Sequence, residues 1–154
     1  CELNYSEILQ MAEEYYDTQF NRGKRFIRYT QIAYADNEIK DSSFFLHQAS
    51  ESFLKSIPLV YILYGYKEHE LEFLIERCKP YTLELAKVFP RDTEEEERLF
   101  ELLKRAYVEA RYNDDFIVTK SDIDALTPKV EQLRDITDRI CKEQIARYEE
   151  QNRK

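Results

Sequence analysis

The chain has 154 residues, the size of one ordinary domain, and it can bury a hydrophobic core without disulfides or metal. Its 43% hydrophobic and 35% charged residues exclude a disordered chain, while two glycines and four prolines are too few for the turns of an all-β protein. A net charge of −8, from 31 acidic and 23 basic residues, argues against broad non-specific nucleic-acid binding and leaves only a local basic patch for such a role.

Twelve tyrosines and nine phenylalanines without a tryptophan imply an aromatic-rich core or interface whose hydroxyls need partners. Cys1, Cys78 and Cys141 have no CxxC or Cys/His spacing, so neither a metal site nor a disulfide framework is expected, and a reducing cytoplasm is the simplest location. The longest apolar run, Ile57 to Tyr66, holds Pro58 and Gly65 and falls short of the roughly 20 residues of a membrane span. Starting at Cys1 rather than methionine, the chain is expected to be a piece of a longer protein, with a lipid-modified N-terminal cysteine as the rival reading.

Tyr5 to about Ala35 reads as one long helix, with Ile8, Ala12, Tyr15, Gln19, Gly23, Phe26, Thr30 and Ala33 on one face. Within it Arg22, Lys24, Arg25 and Arg28 form a basic half-helix, most simply a solvated surface. After a polar turn, Asp41 or Ser42 caps a second helix with a stripe of Leu46, Ala49, Phe53, Ile57, Val60 and Tyr64. Pro58 should kink it and Gly65 should end it. Lys67 to Arg77 reads as a short third helix, and Pro80 and Pro90 bracket a further short segment, Tyr81 to Val88.

Thr93 and Glu96 form a capping box for the next helix, which carries Leu99, Phe100, Leu103, Ala106, Tyr107 and Ala110 inward. The four glutamates from Glu94 suit the positive end of the helix dipole and need no catalytic explanation. Arg111 to Lys120 is irregular, with a β-like Phe116 to Thr119. Thr127-Pro128 then looks like a cap followed by proline at the first helical position, opening a helix that runs to about Glu149. The sum is an all-α fold, an antiparallel up-and-down helical bundle with four main helices and short extras, in one domain over 1–154.

Two constellations could carry chemistry. His47, Glu51 and Lys55 recur at four-residue spacing on the second helix, where they could hold a phosphate, a base edge or a partner, or simply flank the core. On the later helix Lys104 and Arg111 share a side with Tyr107 between them, an arrangement that can grip a phosphate and stack a base, or form a snorkelling rim. His69 opens the short third helix and could cap or bind. The two histidines have no clustered third ligand, so no metal is expected, and no glycine-rich phosphate loop or nucleophile elbow is present.

Three segments resemble the HEPN domain family. These are Phe44-Phe45-Leu46-His47-Gln48-Ala49-Ser50-Glu51 with Leu54-Lys55, then Glu68-His69-Glu70-Leu71-Glu72-Phe73-Leu74, then Ala106-Tyr107-Val108-Glu109-Ala110-Arg111-Tyr112. The resemblance implies a helical bundle, commonly paired into homodimers, found in nucleotide- and RNA-linked systems including toxin–antitoxin-like pairs. Catalytic members are metal-independent endoribonucleases with a histidine four to six residues after an arginine, the imidazole moving a proton and the arginine holding phosphate charge. Here Arg111 is followed by Tyr112, Asn113, Asp114, Asp115, Phe116 and Ile117, and no histidine lies downstream. The resemblance therefore points to the non-catalytic branch, which binds a nucleotide or RNA-like ligand or accompanies a nucleotidyltransferase, as a separate chain or a fused half. No cofactor is expected. His47, Glu51, Lys104, Arg111 and Tyr112 are expected to line the functional groove. A degenerate endoribonuclease or toxin, and a purely structural dimerisation or interaction module using Phe44 and Ile62, are the alternatives.

Overall fold

The computed structural model describes residues 4–154, so the readings of Cys1 fall outside the described residues. Helix α1, Tyr5–Ala35, opens on an Asn4–Glu7 capping box, which satisfies two of the backbone donors left unpaired at a helix start. Its buried face is Ala12, Phe20, Gly23, Ile27, Thr30 and Ala33. Tyr15, Gln19 and Phe26, expected inward, are half-buried at its edge, because steps of three and four fit two adjacent stripes and packing on the neighbouring helix selects one.

Helix α2, Ile39–Ile62, begins earlier than a cap at Asp41 or Ser42 would allow. Ser42 turns inward instead, its hydroxyl donating to the carbonyls of Thr30 (3.1 Å) and Glu38 (3.2 Å). The stripe from Leu46 to Val60 is fully buried, whereas Tyr64 lies past the helix end and is exposed. Pro58 sits inside the helix and cannot donate to the Leu54 carbonyl, so the Cys78 thiol supplies that carbonyl's partner at 3.4 Å. The stop comes at Leu63, in the left-handed region at φ 55°, two residues before Gly65. A leucine there costs roughly 1–2 kcal/mol, offset by packing of its half-buried side chain on the core.

Helix α3, Leu71–Cys78, is shorter than expected because the Glu70 side chain caps it, accepting from the backbone N–H groups of Glu72 and Phe73. Lys67 to Glu70 is therefore loop, and His69 is a loop residue. A 3-10 turn, Glu84–Lys87, occupies the segment between the prolines. Helix α4, Glu94–Tyr112, starts on the Thr93–Glu96 capping box. Phe116 to Thr119 forms no strand, having no sheet to join; Phe116 is instead a buried anchor of the loop. Helix α5, Lys120–Arg153, is capped by Thr119 with Asp122 and passes unbroken through Pro128. Thr127 is thus not a cap: its hydroxyl donates back to the Ile123 carbonyl at 2.7 Å within the same helix.

Side-chain pairings fix the directions. Phe20 meets Phe53 and Thr30 meets Ser42, so α1 and α2 are antiparallel. Phe44 and His47 meet Tyr107, with Arg111 over Phe44, so α4 opposes α2. Tyr16 bonds Asp138 while the Lys120 ammonium lies over the Tyr34 ring, so α5 opposes α1. This is the expected up-and-down bundle, and its centre is α2, which packs against α1, α3, α4 and α5. Burial pushes the Cys78 thiol up to about 12 and raises Cys141 as well, so both behave as small apolar groups. No described helix is long and apolar enough to cross a membrane.

Candidate functional site

The Tyr107 ring of α4 is the hub. His69, from the loop before α3, stacks on it at 4.6 Å between centroids and 18° between planes. His47, from α2, stacks on it at 5.0 Å, and Phe44, one turn earlier, lies at 6.3 Å. The Arg111 guanidinium, one turn after Tyr107, sits 4.6 Å from the same ring, 4.9 Å from Phe44 and 5.0 Å from Tyr112. Its only polar contact among the described residues is Nε donating to the Tyr107 carbonyl at 2.8 Å. The rest of its N–H fork carries a positive charge on aromatic faces with no carboxylate partner, an arrangement suited to a phosphate or a stacked base.

Below the rings lies an ionic row. Glu51 is buried, and its two oxygens divide their work. Oε1 accepts from His69 Nδ1 at 2.8 Å, and Oε2 accepts from Lys55 Nζ at 3.1 Å. His69 is thereby held with Nε2 at the far side of its ring, and its side chain is 47% exposed. An oriented, accessible imidazole can hydrogen-bond a ligand or exchange a proton with one.

His47 differs from His69. It is fully buried, 3.3 Å from Gln48 and 4.0 Å from Glu51. Burial pushes its basicity below the ordinary imidazole value, outweighing the nearby Glu51 carboxylate and the Gln48 bond, which act the other way. It therefore stacks as a neutral ring under Tyr107 and is a support for the site rather than its surface. The linkage is testable. The unfolded chain takes up the His47 proton near 6.5 while the native state resists it, so stability should be complete above that pH and decline below it. The slope is at most about 1.4 kcal/mol per pH unit. Urea unfolding between pH 7.5 and 5.5 should show this decline, and His47→Gln should flatten it. The depressed carboxyls of Asp122 and Asp138 act in the same direction but in a lower pH window, near 3.8 and beneath. An identical slope in His47→Gln would dismiss the assignment.

Of the five residues expected together, His47, Glu51, Arg111 and Tyr112 meet around Tyr107. Lys104 does not. Its ammonium is held by Glu101 at 2.9 Å and Glu72 at 3.3 Å, and lies over Phe100. Sequence spacing put Lys104 on the right side of α4 but could not reveal that α3 brings Glu72 to claim it. His69, left open in the sequence between capping and binding, and Phe44, read there as a residue of a protein interface, also reach the Tyr107 ring. His69 depends on a loop whose path no periodicity records, and Phe44 reads equally well as an outward apolar residue. No group of three or more His, Cys, Asp or Glu side chains among the described residues could hold a metal ion.

No curated protein matches the chain. The HEPN domain family does match it, over residues 16–140, which takes in every element from the middle of α1 to the middle of α5, and the chain belongs to that family.

Proposed function

We propose that this HEPN domain is a non-catalytic module that binds a nucleotide or RNA-like ligand on the Phe44–Tyr107–Arg111–Tyr112 face. In that role it serves, or is joined to, a nucleotidyltransferase, and it works as a homodimer. The observation that carries the reading is Arg111: an exposed guanidinium stacked on aromatic rings, its N–H fork unclaimed by any described carboxylate. Such a group offers charge to a phosphate and a flat cationic face to a base. A chain of net charge −8 favours a local site of this kind over a broad nucleic-acid surface.

Thermal denaturation with a panel of nucleotides and short RNAs tests it. A bound ligand at 100 times its dissociation constant adds about 2.7 kcal/mol to the wild type. Arg111→Ala should weaken that ligand about tenfold or more, a loss of one charge-assisted contact, while barely changing the stability of the free protein. If no nucleotide or RNA shifts the wild type, the reading fails.

A second reading rests on His69. Its ring is oriented by a buried carboxylate, as a general acid–base group requires, and Arg111 touches the same Tyr107 ring. In this reading the domain is a degenerate endoribonuclease that brings its imidazole from the loop rather than from the helix bearing the arginine. Cleavage of RNA by the purified protein, lost in His69→Ala, would favour it over the binding module.

A further inference from the structure

Beside the ionic row, α1, α2 and the loop from 63 to 70 enclose an open cavity of about 710 Å³. That is within the usual range for a small-molecule site, roughly 300–1,000 Å³. Its walls carry three cations, Arg22 from α1, Lys55 from α2 and Lys67 from the loop, against a single carboxylate, Glu51. The carboxylate is already committed to Lys55 and His69. Arg22 and Lys67 make no ion pair or side-chain hydrogen bond among the described residues, so the cavity holds an uncompensated positive charge on an acidic protein. Gln48 and Tyr66 add neutral hydrogen-bonding groups to the same walls.

We infer that this cavity binds an oligophosphate chain, the di- or triphosphate of a nucleotide whose base lies on the aromatic face. The inference rests on the nucleotide reading above and sharpens it from nucleotide to nucleoside di- or triphosphate. Two separated, unpaired cations, Arg22 and Lys67, with the Glu51-paired Lys55 beside them, match an anion whose charges are strung along several phosphorus centres better than a monophosphate, which one guanidinium satisfies. Clustered charge within a concavity also concentrates anions more than the same charge on a convex surface. Glu51 joins the two halves: it lines the cavity with one side and with Oε1 holds His69 against Tyr107. Gln48 likewise lines the cavity while contacting His47. A ligand reaching from the cavity to the rings would cross this shared wall.

Calorimetric titration with tripolyphosphate, a nucleoside triphosphate, the matching monophosphate and the nucleoside, on the wild type, Arg22→Ala/Lys67→Ala and Arg111→Ala, tests the assignment. Both cavity substitutions are at exposed positions without partners and should leave the unfolding midpoint unchanged. Tripolyphosphate and the triphosphate should bind the wild type and weaken about tenfold or more in the double variant, while the monophosphate binds less well than either. Arg111→Ala should leave tripolyphosphate affinity as it is and weaken the triphosphate. The cavity assignment is overturned if the wild type does not take up tripolyphosphate, or if the double variant binds it as tightly. Tripolyphosphate binding lost in the double variant, with no response of the nucleotide to Arg111→Ala, would instead retain the cavity and remove the aromatic face.

Discussion

Gly23→Ala is expected to destabilise the protein by about 1–3 kcal/mol, the usual range for forcing extra volume into a packed core. On helix propensity alone alanine should gain up to about 1 kcal/mol in the middle of a helix, so the sign of the result separates the two effects. Packing wins because a Cβ on Gly23 would sit 2.5 Å from Phe53 Cε1 and 2.8 Å from Cδ1 and Cζ. Phe53 is fully buried, with the Phe20 ring at 5.2 Å, and has no room to step aside. Phe53→Ala should itself cost about 3–5 kcal/mol. In that background the Gly23 methyl has space, so the double variant should be more stable than the two separate losses add up to. Urea unfolding of the four proteins gives the coupling, and losses that simply sum within about 0.5 kcal/mol would refute it. The contact matters beyond stability, because it sets how closely α1 lies on α2 and hence the width of the cavity between them.

That contact also illustrates what could be read from the residues. The stripe from Leu46 to Val60 and the Thr93–Glu96 box fix a helix and its phase by local rules, and both appear as expected. Gly23 could be placed on the buried face of α1, yet nothing in its neighbours says that a phenylalanine 30 positions on will fill its place. The same limit operates at helix ends. Gly65 and Thr127-Pro128 carry strong local signals, but Leu63 ends α2 and α5 runs through Pro128, because tertiary packing outweighs a preference of one or a few kcal/mol. The site divides in the same way. The i, i+4 row of His47, Glu51 and Lys55 and the Arg111 position were legible in spacing. The transfer of Lys104 to Glu72 and the arrival of His69 on Glu51 depend on the loop and on α3, elements with too few residues for a period to place them.

Glu51→Gln should separate stability from binding at this site, lowering the one and raising the other. The Glu51 side chain is 9% exposed, that of Lys55 11%, and the ammonium lies 3.1 Å from the carboxylate. Removing the negative charge leaves Lys55 in a poorly hydrated position with no compensating ion, and the one remaining amide oxygen can accept from His69 or from Lys55 but not from both. A charged hydrogen bond is worth about 1.5–3 kcal/mol when a partner is lost, and breaking a fully buried pair costs more, about 3–5 kcal/mol. The open cavity admits water to Lys55, so a loss near 2 kcal/mol is expected. Lys55→Ala should cost a similar amount by leaving the carboxylate unpaired, and Glu51→Gln/Lys55→Ala should cost less than the two together. The binding effect runs the other way. With Glu51 neutral, Lys55 joins Arg22 and Lys67 without an opposing charge in the same walls. Tripolyphosphate should then bind several-fold more tightly to Glu51→Gln than to the wild type, with a steeper dependence on salt. Weaker binding in a variant shown to be folded would mean that the carboxylate holds Lys55 and the loop in a binding geometry. The wild-type pair would then be part of the anion site itself, rather than a counterweight whose removal strengthens it.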